Sequence, residues 1–496
     1  MYLGVDCGTQ STKVVVFDSG AGRVIGEGRG AHRLISEAGG RREQDPAWWV
    51  EAFEHALAQA LSNANIDGRA IRAMGVSGQQ HGMVALDKAG VPVYPAKLWN
   101  DTEAYRECEA LIEQLGGEQG CLDRLGIIPQ PGYTAPKLAW LRAHHPDAYR
   151  RIDCVLLPHD YLNFYLTGER TAEFGDASGT GYFDTRTREW ATDVFERLAP
   201  ELDAGHVLPR LIEACSPVGR LRPDLAARLG LEPSVLVSSG GGDNMMGAIG
   251  TGNITPGALT MSLGTSGTVY GCSDAPVITD NGLAANFCSS HGNWLPLICT
   301  MNVTSATEQV RALLGCSLED FGAALERSPI GAQGVQVLPF FNGERVPRLP
   351  DATASFLGLS SNNTTGDNLC RAVMEGATFG LRYGLDLLSA QGLEPSGIRL
   401  VGGGAKSPQW RQMVADVMNA PVICPRIGEA AAFGAALQAQ WCHLNDQGEP
   451  VALSDLCAKA VSLDEAASAA PVRERVEAYE VAYRRYLATL RAQGMI

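Results

Sequence analysis

At 496 residues the chain exceeds what one core holds, since single cores stop growing near ~250 to 300 residues, so two large domains are the default. Hydrophobic residues at 45% and charged residues at 19% give the balance of a packed globular protein and exclude a disordered one. A formal net charge of −15 excludes a broad basic surface for nucleic acid, so any bound phosphate must be held locally, by backbone amides, a metal or a few cations.

In chain order, Tyr2-Leu3-Gly4-Val5 reads as a strand, Asp6-Cys7-Gly8-Thr9-Gln10-Ser11-Thr12 as a turn, and Lys13-Val14-Val15-Val16-Phe17 as a β-branched strand. This opening has no charged start followed by an apolar run, and no later stretch reaches ~18 uninterrupted apolar residues. The expectation is a cytoplasmic protein with no membrane partner. A further strand is predicted at Arg23 to Glu27. Asp45-Pro46 then supplies an N-cap and first-turn proline for a helix in which Trp49, Phe53, Ala56, Leu57, Ala60 and Leu61 recur at helical spacing. Strands and helices alternate from there, the pattern of an α/β protein.

A second set of signals begins after Pro233. Ser234 to Ser239 reads as a buried strand broken by Gly240-Gly241-Gly242-Asp243-Asn244. Ala258 to Leu263 reads as a strand entering the turn Gly264-Thr265-Ser266-Gly267-Thr268. A long helix is predicted from Asp367 to Ala390, a strand at Ile398 to Val401, a turn at Gly402-Gly403-Gly404 and a helix from Pro408. The thirteen cysteines are odd in number and scattered, with no close pair at metal-ligand spacing, and read as reduced thiols.

The turn at Asp6 to Thr12 can be laid on Ser262 to Thr268, sharing Gly-Thr-x-x-Thr after a strand. Such turns present backbone N–H groups and hydroxyls in a small arc, and two facing arcs suit a triphosphate; an ordinary tight hairpin is the alternative. Asp6 is a carboxylate directly after a buried strand, costly unless partnered, and a metal-bound water is a natural partner. Its counterpart is the uncharged Ser262, so only the first hairpin reads as built for Mg²⁺.

Asp243 stands after three glycines that let another molecule approach the backbone. A carboxylate there suits in-line phosphoryl transfer, orienting the attacking hydroxyl and accepting its proton late. Capping of a helix beginning at Asn244 is the alternative. With an ordinary pKa near ~4, Asp243 would start ionised without tuning. Gln79-Gln80-His81-Gly82-Met83 and Leu98-Trp99-Asn100-Asp101 gather amide, imidazole and carboxylate groups near an aromatic face, which matches a polyol.

Together these residues resemble the FGGY carbohydrate kinases, in family order, from Gly4-Val5-Asp6-Cys7-Gly8-Thr9 to the helix after Gly434. The resemblance implies two ribonuclease-H-like α/β domains of the actin and hexokinase superfamily with a cleft between them. The division falls at residues 1–244, reading the sugar, and 245–496, binding the nucleotide. It implies Asp243 as the catalytic aspartate, with Asn244 beside it on the sugar, and Asp6 at the metal. It assigns Gly8, Thr9, Gln10, Ser11, Lys13, Gly264, Thr265 and Ser266 to the phosphates, and Gly403, Gly404 and Ala405 to the adenosine. Gln80-His81-Gly82 and Trp99-Asn100-Asp101 resemble the sugar elements of members acting on D-xylulose; Gln80 stands where methionine is common, and Thr102 where arginine often follows. The implied reaction is transfer of the ATP γ-phosphate to O5 of D-xylulose with Mg²⁺, in a cytoplasmic enzyme that the family suggests is a homodimer. The rivals are another ketose, a pentitol or a sugar acid as substrate, or a non-catalytic nucleotide-dependent switch of the same fold. Asp176 is left as a residue to test, packing and ligand contact being equal alternatives, and Asn342 and Arg345 as residues near the cleft whose direction the sequence does not fix.

Overall fold

The computed structural model describes residues 1–496. Two seven-stranded mixed sheets organise it. In the first, the antiparallel strands Arg23–Ala31, Ser11–Asp18 and Tyr2–Cys7 are followed by the parallel strands Ala73–Gly78 and Leu236–Ser238 and the antiparallel edge Pro217–Arg220. The second repeats that order: Trp294–Thr300, Gly267–Gly271 and Ala258–Leu263 antiparallel, Gly397–Val401 and Val422–Pro425 parallel, and Leu463–Ala469 closing antiparallel. One further strand, Ala285–Cys288, extends its far edge. The short internal echo in the sequence is therefore the visible trace of two copies of one topology.

The Asp45 carboxylate accepts from the Ala47 amide at 2.9 Å and starts the helix Pro46–Ala64, whose buried face includes Trp49, Phe53, Ala56, Leu57 and Ala60. The Gly366–Ser389 helix, 24 residues long, buries its apolar face in the core of the second half. Differences from the sequence reading lie at the turns. The first turn is shorter than expected, because Asp6, Cys7 and Thr12 extend the ladder between the first two strands and leave the four residues Gly8 to Ser11 between them, of which Ser11 pairs instead with Ala31 of the third strand. The two hairpins also close in different registers: Cys7 pairs with Thr12, whereas Leu263 pairs with Gly267. The third strand reaches Ala31, and the Ser234–Ser239 strand narrows to Leu236–Ser238.

The helix Asp243–Gly250 carries the chain from one sheet toward the other, so a division at 244/245 falls in its first turn. It packs on the helix Ala430–Asp446, which also lies across the first sheet. Contact there is backbone on backbone: a Cβ at Gly434 would sit 1.8 Å from Met246 O, and one at Gly4 would sit 1.7 Å from Ala432 O. From the same helix the buried Gln438 accepts from Ser238 Oγ at 3.0 Å and the Gly240 amide at 2.9 Å, and donates to Ser239 Oγ, Gly240 O and Ser290 O. A segment far along the chain thus fixes the glycine run that leads to Asp243.

Candidate active site

Parallel pairing aligns Asp6 with Ser77 and Ser77 with Gly241, so Asp6 and Asp243 stand at neighbouring carboxyl ends of one sheet, where open α/β sheets bind ligands. Ser77 Oγ donates to Asp6 Oδ1 at 3.0 Å, and Oδ2 has no donor in the chain. Burial raises the Asp6 pKa, opposed by the Lys13 ammonium and the Ser77 bond. Lys13 in turn is paired with Glu429, an ion pair joining the two halves. A half-satisfied carboxylate among strand ends is a hard-oxygen donor of the kind Mg²⁺ uses, so this site fits that ion.

Above Asp6 the amides of Thr9 and Gln10 have no acceptor in the chain, while Gly8 N donates to Ser11 O at 3.1 Å. The amides of Gly264, Thr265 and Ser266 are likewise free, and their turn is braced by its carbonyls: Gly264 O accepts from Thr304 N and Oγ1, and Thr265 O from Val303 N and Ser305. Gly402, at φ 90°, packs against Leu263; a Cβ there would lie 2.7 Å from its carbonyl carbon, so the third glycine turn abuts the second phosphate turn. Of that turn Gly403 is exposed, whereas Gly404 and Ala405 are buried against Leu263 and Trp410 and offer a ligand backbone only. Ser11 is buried with its hydroxyl accepting from Arg29 Nε at 3.1 Å, and Gln10 is exposed.

Asp243 begins its helix, with Gly242 as the capping residue. Oδ1 accepts from the Asn244 amide at 2.8 Å and Asn244 Nδ2 at 3.0 Å, and Oδ2 is unengaged. The capping alternative does not hold, since Gly242 takes the cap position and Asp243 is the first helical residue, with one carboxylate oxygen on its neighbour's amide and the other free. Burial, then the charges of Asp6 and Asp176, push the pKa up to about 7, outweighing the Asn244 bonds. This corrects the expectation of an untuned carboxylate.

The same Asn244 Nδ2 donates to Gln80 Oε1 at 2.7 Å, tying the carboxylate to the polar cluster. His81 adopts φ 64°, an uncommon left-handed backbone, and its carbonyl accepts from the fully buried Lys137 at 2.7 Å. Its ring packs 4.5 Å from Tyr133 and 5.5 Å, stacked, from Phe287. Burial, then the charges of Lys137 and Arg345, hold the imidazole well below its ordinary pKa, so it is neutral. Gln80 Nε2, His81 Nδ1 and Asn100 Oδ1 are buried without partners. Unpaired buried polar atoms are rare and costly; of these three, Gln80 Nε2 is the one set beside Asp243, its side chain lying against Gly242 and bonded to Asn244, whereas His81 Nδ1 lies against Gly179. Gly82 is buried against Pro158 and serves packing.

Trp99 Nε1 donates to Thr9 Oγ1 at 3.0 Å, linking the Trp99-Asn100-Asp101 element to the turn after the first strand. Asp101 departs from its expected place. It is fully buried, with Oδ2 accepting from Lys97 Nζ at 3.1 Å and the Arg42 amide at 2.8 Å, and Oδ1 from the Glu103 amide at 3.1 Å. Lys97 sits among Glu43, Asp101 and Glu103, and Arg41 also pairs with Glu43 at 2.8 Å, so that acidic cluster already has two cations among its three carboxylates. Asp176 is buried against His159, Nδ1 to Oδ2 at 2.7 Å, with Asp160 on the other side of the ring. Burial opposes protonation of His159, but the two carboxylates outweigh it and raise its pKa well above the usual value. Sequence reasoning missed Gln438, whose only signal was a polar residue inside an alanine-rich helix.

Residues 1–250 match the model of the FGGY family of carbohydrate kinases, N-terminal domain, and residues 259–442 the C-terminal domain of the same family. A xylulose kinase of Haemophilus influenzae is 53% identical over 494 residues, 99% of both chains. A xylulose kinase of Streptomyces coelicolor is 40% identical over 88% of this chain and 87% of its own. A crystal structure described as a xyloylose kinase from Brucella ovis superposes with a TM-score of 0.92 at 32% identity, covering 99% of each chain.

Proposed function

Since the chain belongs to the FGGY family of carbohydrate kinases, we propose that it transfers the γ-phosphate of ATP to O5 of D-xylulose, giving D-xylulose 5-phosphate and ADP. The observation that carries this reading is the hydrogen-bonded run Asp243–Asn244–Gln80, which sets a carboxylate with one free oxygen beside the buried, unpartnered Nε2 of Gln80. The relatives' names supply the sugar.

The free amides at Thr9, Gln10, Gly264, Thr265 and Ser266 hold phosphate oxygens, and the Gly402–Gly404 turn carries the nucleoside end. The residues fit Mg²⁺ at Asp6; when bound, the ion offsets charge on the phosphates. Gln80, neutral His81 and Asn100 orient the sugar over the Tyr133 and Trp99 faces. Asp243 accepts the O5 proton through Oδ2, while Asn244 holds Oδ1 and so fixes the direction of the free lone pairs. Lys137, bound to the His81 carbonyl, keeps the His81 backbone in its left-handed conformation.

The test is ADP release coupled to NADH oxidation, with Mg-ATP and D-xylulose. Release that requires the sugar supports the reading, and release at the same rate without sugar overturns it.

A further inference from the structure

Arg345 follows a backbone that is firmly held. The Glu344 carboxylate, 5% exposed, accepts from the Met301 amide at 2.7 Å, Asn302 Nδ2 at 3.1 Å and the Arg345 amide at 2.8 Å. Asn302 also donates to Gly343 O at 2.7 Å. The guanidinium at the end of this braced segment is by contrast unspent. It is half-buried, forms no ion pair, and makes a single contact of hydrogen-bond type, Nη1 to Cys299 Sγ at 3.8 Å. With five N–H donors against one weak sulfur acceptor, most of the fork is served by solvent and is available to a ligand oxygen.

Its direction is fixed by what lies under it. The guanidinium carbon stands 6.0 Å from the centroid of the Trp99 ring, on the opposite half of the molecule, and Trp99 in turn donates to Thr9 of the phosphate turn. Its charge is also felt at His81 and Tyr133, whereas the leading charges on Asp243 are Asp6 and Asp176. Arg345 therefore faces the sugar elements, with the Trp99 ring and not the Asp243 carboxylate beneath its guanidinium. The acceptor it lacks is an oxygen of the ligand, and a planar fork of donors suits adjacent carbonyl and hydroxyl oxygens.

We propose that Arg345 is a sugar-binding residue supplied by the C-terminal half, donating to the O1 and O2 end of the 2-ketose and setting its preference over the corresponding pentitol. The inference rests on the D-xylulose reading above. The C2 carbonyl only accepts, so it meets a group that only donates; a pentitol hydroxyl there brings a hydrogen that must be turned elsewhere. Because the arm comes from the half opposite His81 and Trp99, sugar at this end bridges the two halves.

The experiment compares wild type with Arg345→Met and Arg345→Lys as full-length proteins, measuring kcat and KM for D-xylulose, D-arabinitol and ATP with Mg²⁺, and the melting temperature. Loss of a charged hydrogen bond predicts a KM for D-xylulose about tenfold to a hundredfold higher in Arg345→Met, partly restored in Arg345→Lys. The KM for D-arabinitol should move less than about threefold, and the KM for ATP and the melting temperature should hold. An unmoved D-xylulose KM overturns the role, as does a raised ATP KM or a fall in kcat alone, either of which would place the arginine on phosphate. Wild type that ignores D-xylulose refutes the substrate reading and this inference with it, whereas normal wild-type turnover with an unmoved variant KM refutes Arg345 alone.

Discussion

Replacing Asp243 by Asn should make the protein inactive and more stable at once. Burial and the charges of Asp6 and Asp176 raise this carboxyl from the ordinary 3.8 to about 7, so the folded protein holds the proton more tightly than the unfolded chain does. A group of this kind favours folding fully below the unfolded pKa, and that contribution is lost as pH rises through the folded one. At about 1.36 kcal/mol per tenfold change in proton affinity, the full shift caps the effect near ~4 kcal/mol above pH ~7. Asp243 retains partial exposure, and solvent screening reduces the expected gain to roughly 1–2 kcal/mol. Asparagine keeps the shape and removes the charge. Thermal melts from pH 4 to 8 should therefore show the variant and wild type together at the acid end, with the variant ahead by a few degrees from pH ~7 upward. In the coupled assay its kcat should fall by about 10² to 10⁴. A variant less stable than wild type at pH 8, or one retaining near-normal kcat, would refute the reasoning.

Because the free enzyme must lose the Asp243 proton before catalysis, kcat/KM for the sugar should rise with pH through about 7, and Asp176→Asn, removing one raising charge, should move that midpoint down. Gly434→Ala pushes a methyl to 1.8 Å from Met246 O, and denaturant melts should register a loss of about 3 kcal/mol or more, or no folded protein. Lys97→Met removes the ammonium shared by the fully buried Glu43 and Asp101, leaving Glu43 to Arg41 and Asp101 to two backbone amides, and should cost about 3 kcal/mol by the same measurement.

Local chemistry carried much of this structure into the sequence. The Asp45-Pro46 cap, the Ala258–Leu263 strand and the helix opening at Pro408 follow from neighbours a few residues apart, and they stand where the residues indicate. What was not legible depends on long-range partners. The neighbours of Asp101 in sequence do not announce that Lys97 and two backbone amides consume its carboxylate, because one of those amides, Arg42, and the Glu43 that shares Lys97 arrive from a different strand. The Asp243 pKa depends on Asp6 and Asp176, which only the assembled sheet brings close. Arg345 has the same character: the sequence names a guanidinium, and the braced Glu344 and the facing Trp99 give it a direction. Conversely the Gly-Thr echo was readable, yet its register was not, since one extra residue in the first turn leaves the motif intact while shifting the pairing.

The central claim, phosphoryl transfer to O5 of D-xylulose, is tested most directly by following ³¹P and ¹³C spectra of purified protein with Mg-ATP and D-xylulose, beside D-ribulose, D-arabinitol, glycerol and gluconate. The account predicts stoichiometric loss of ATP with D-xylulose, a phosphate resonance coupled to C5, and slower turnover of every other compound. ATP loss indifferent to sugar, faster turnover of another compound on the panel, or phosphate on any other carbon, would contradict it.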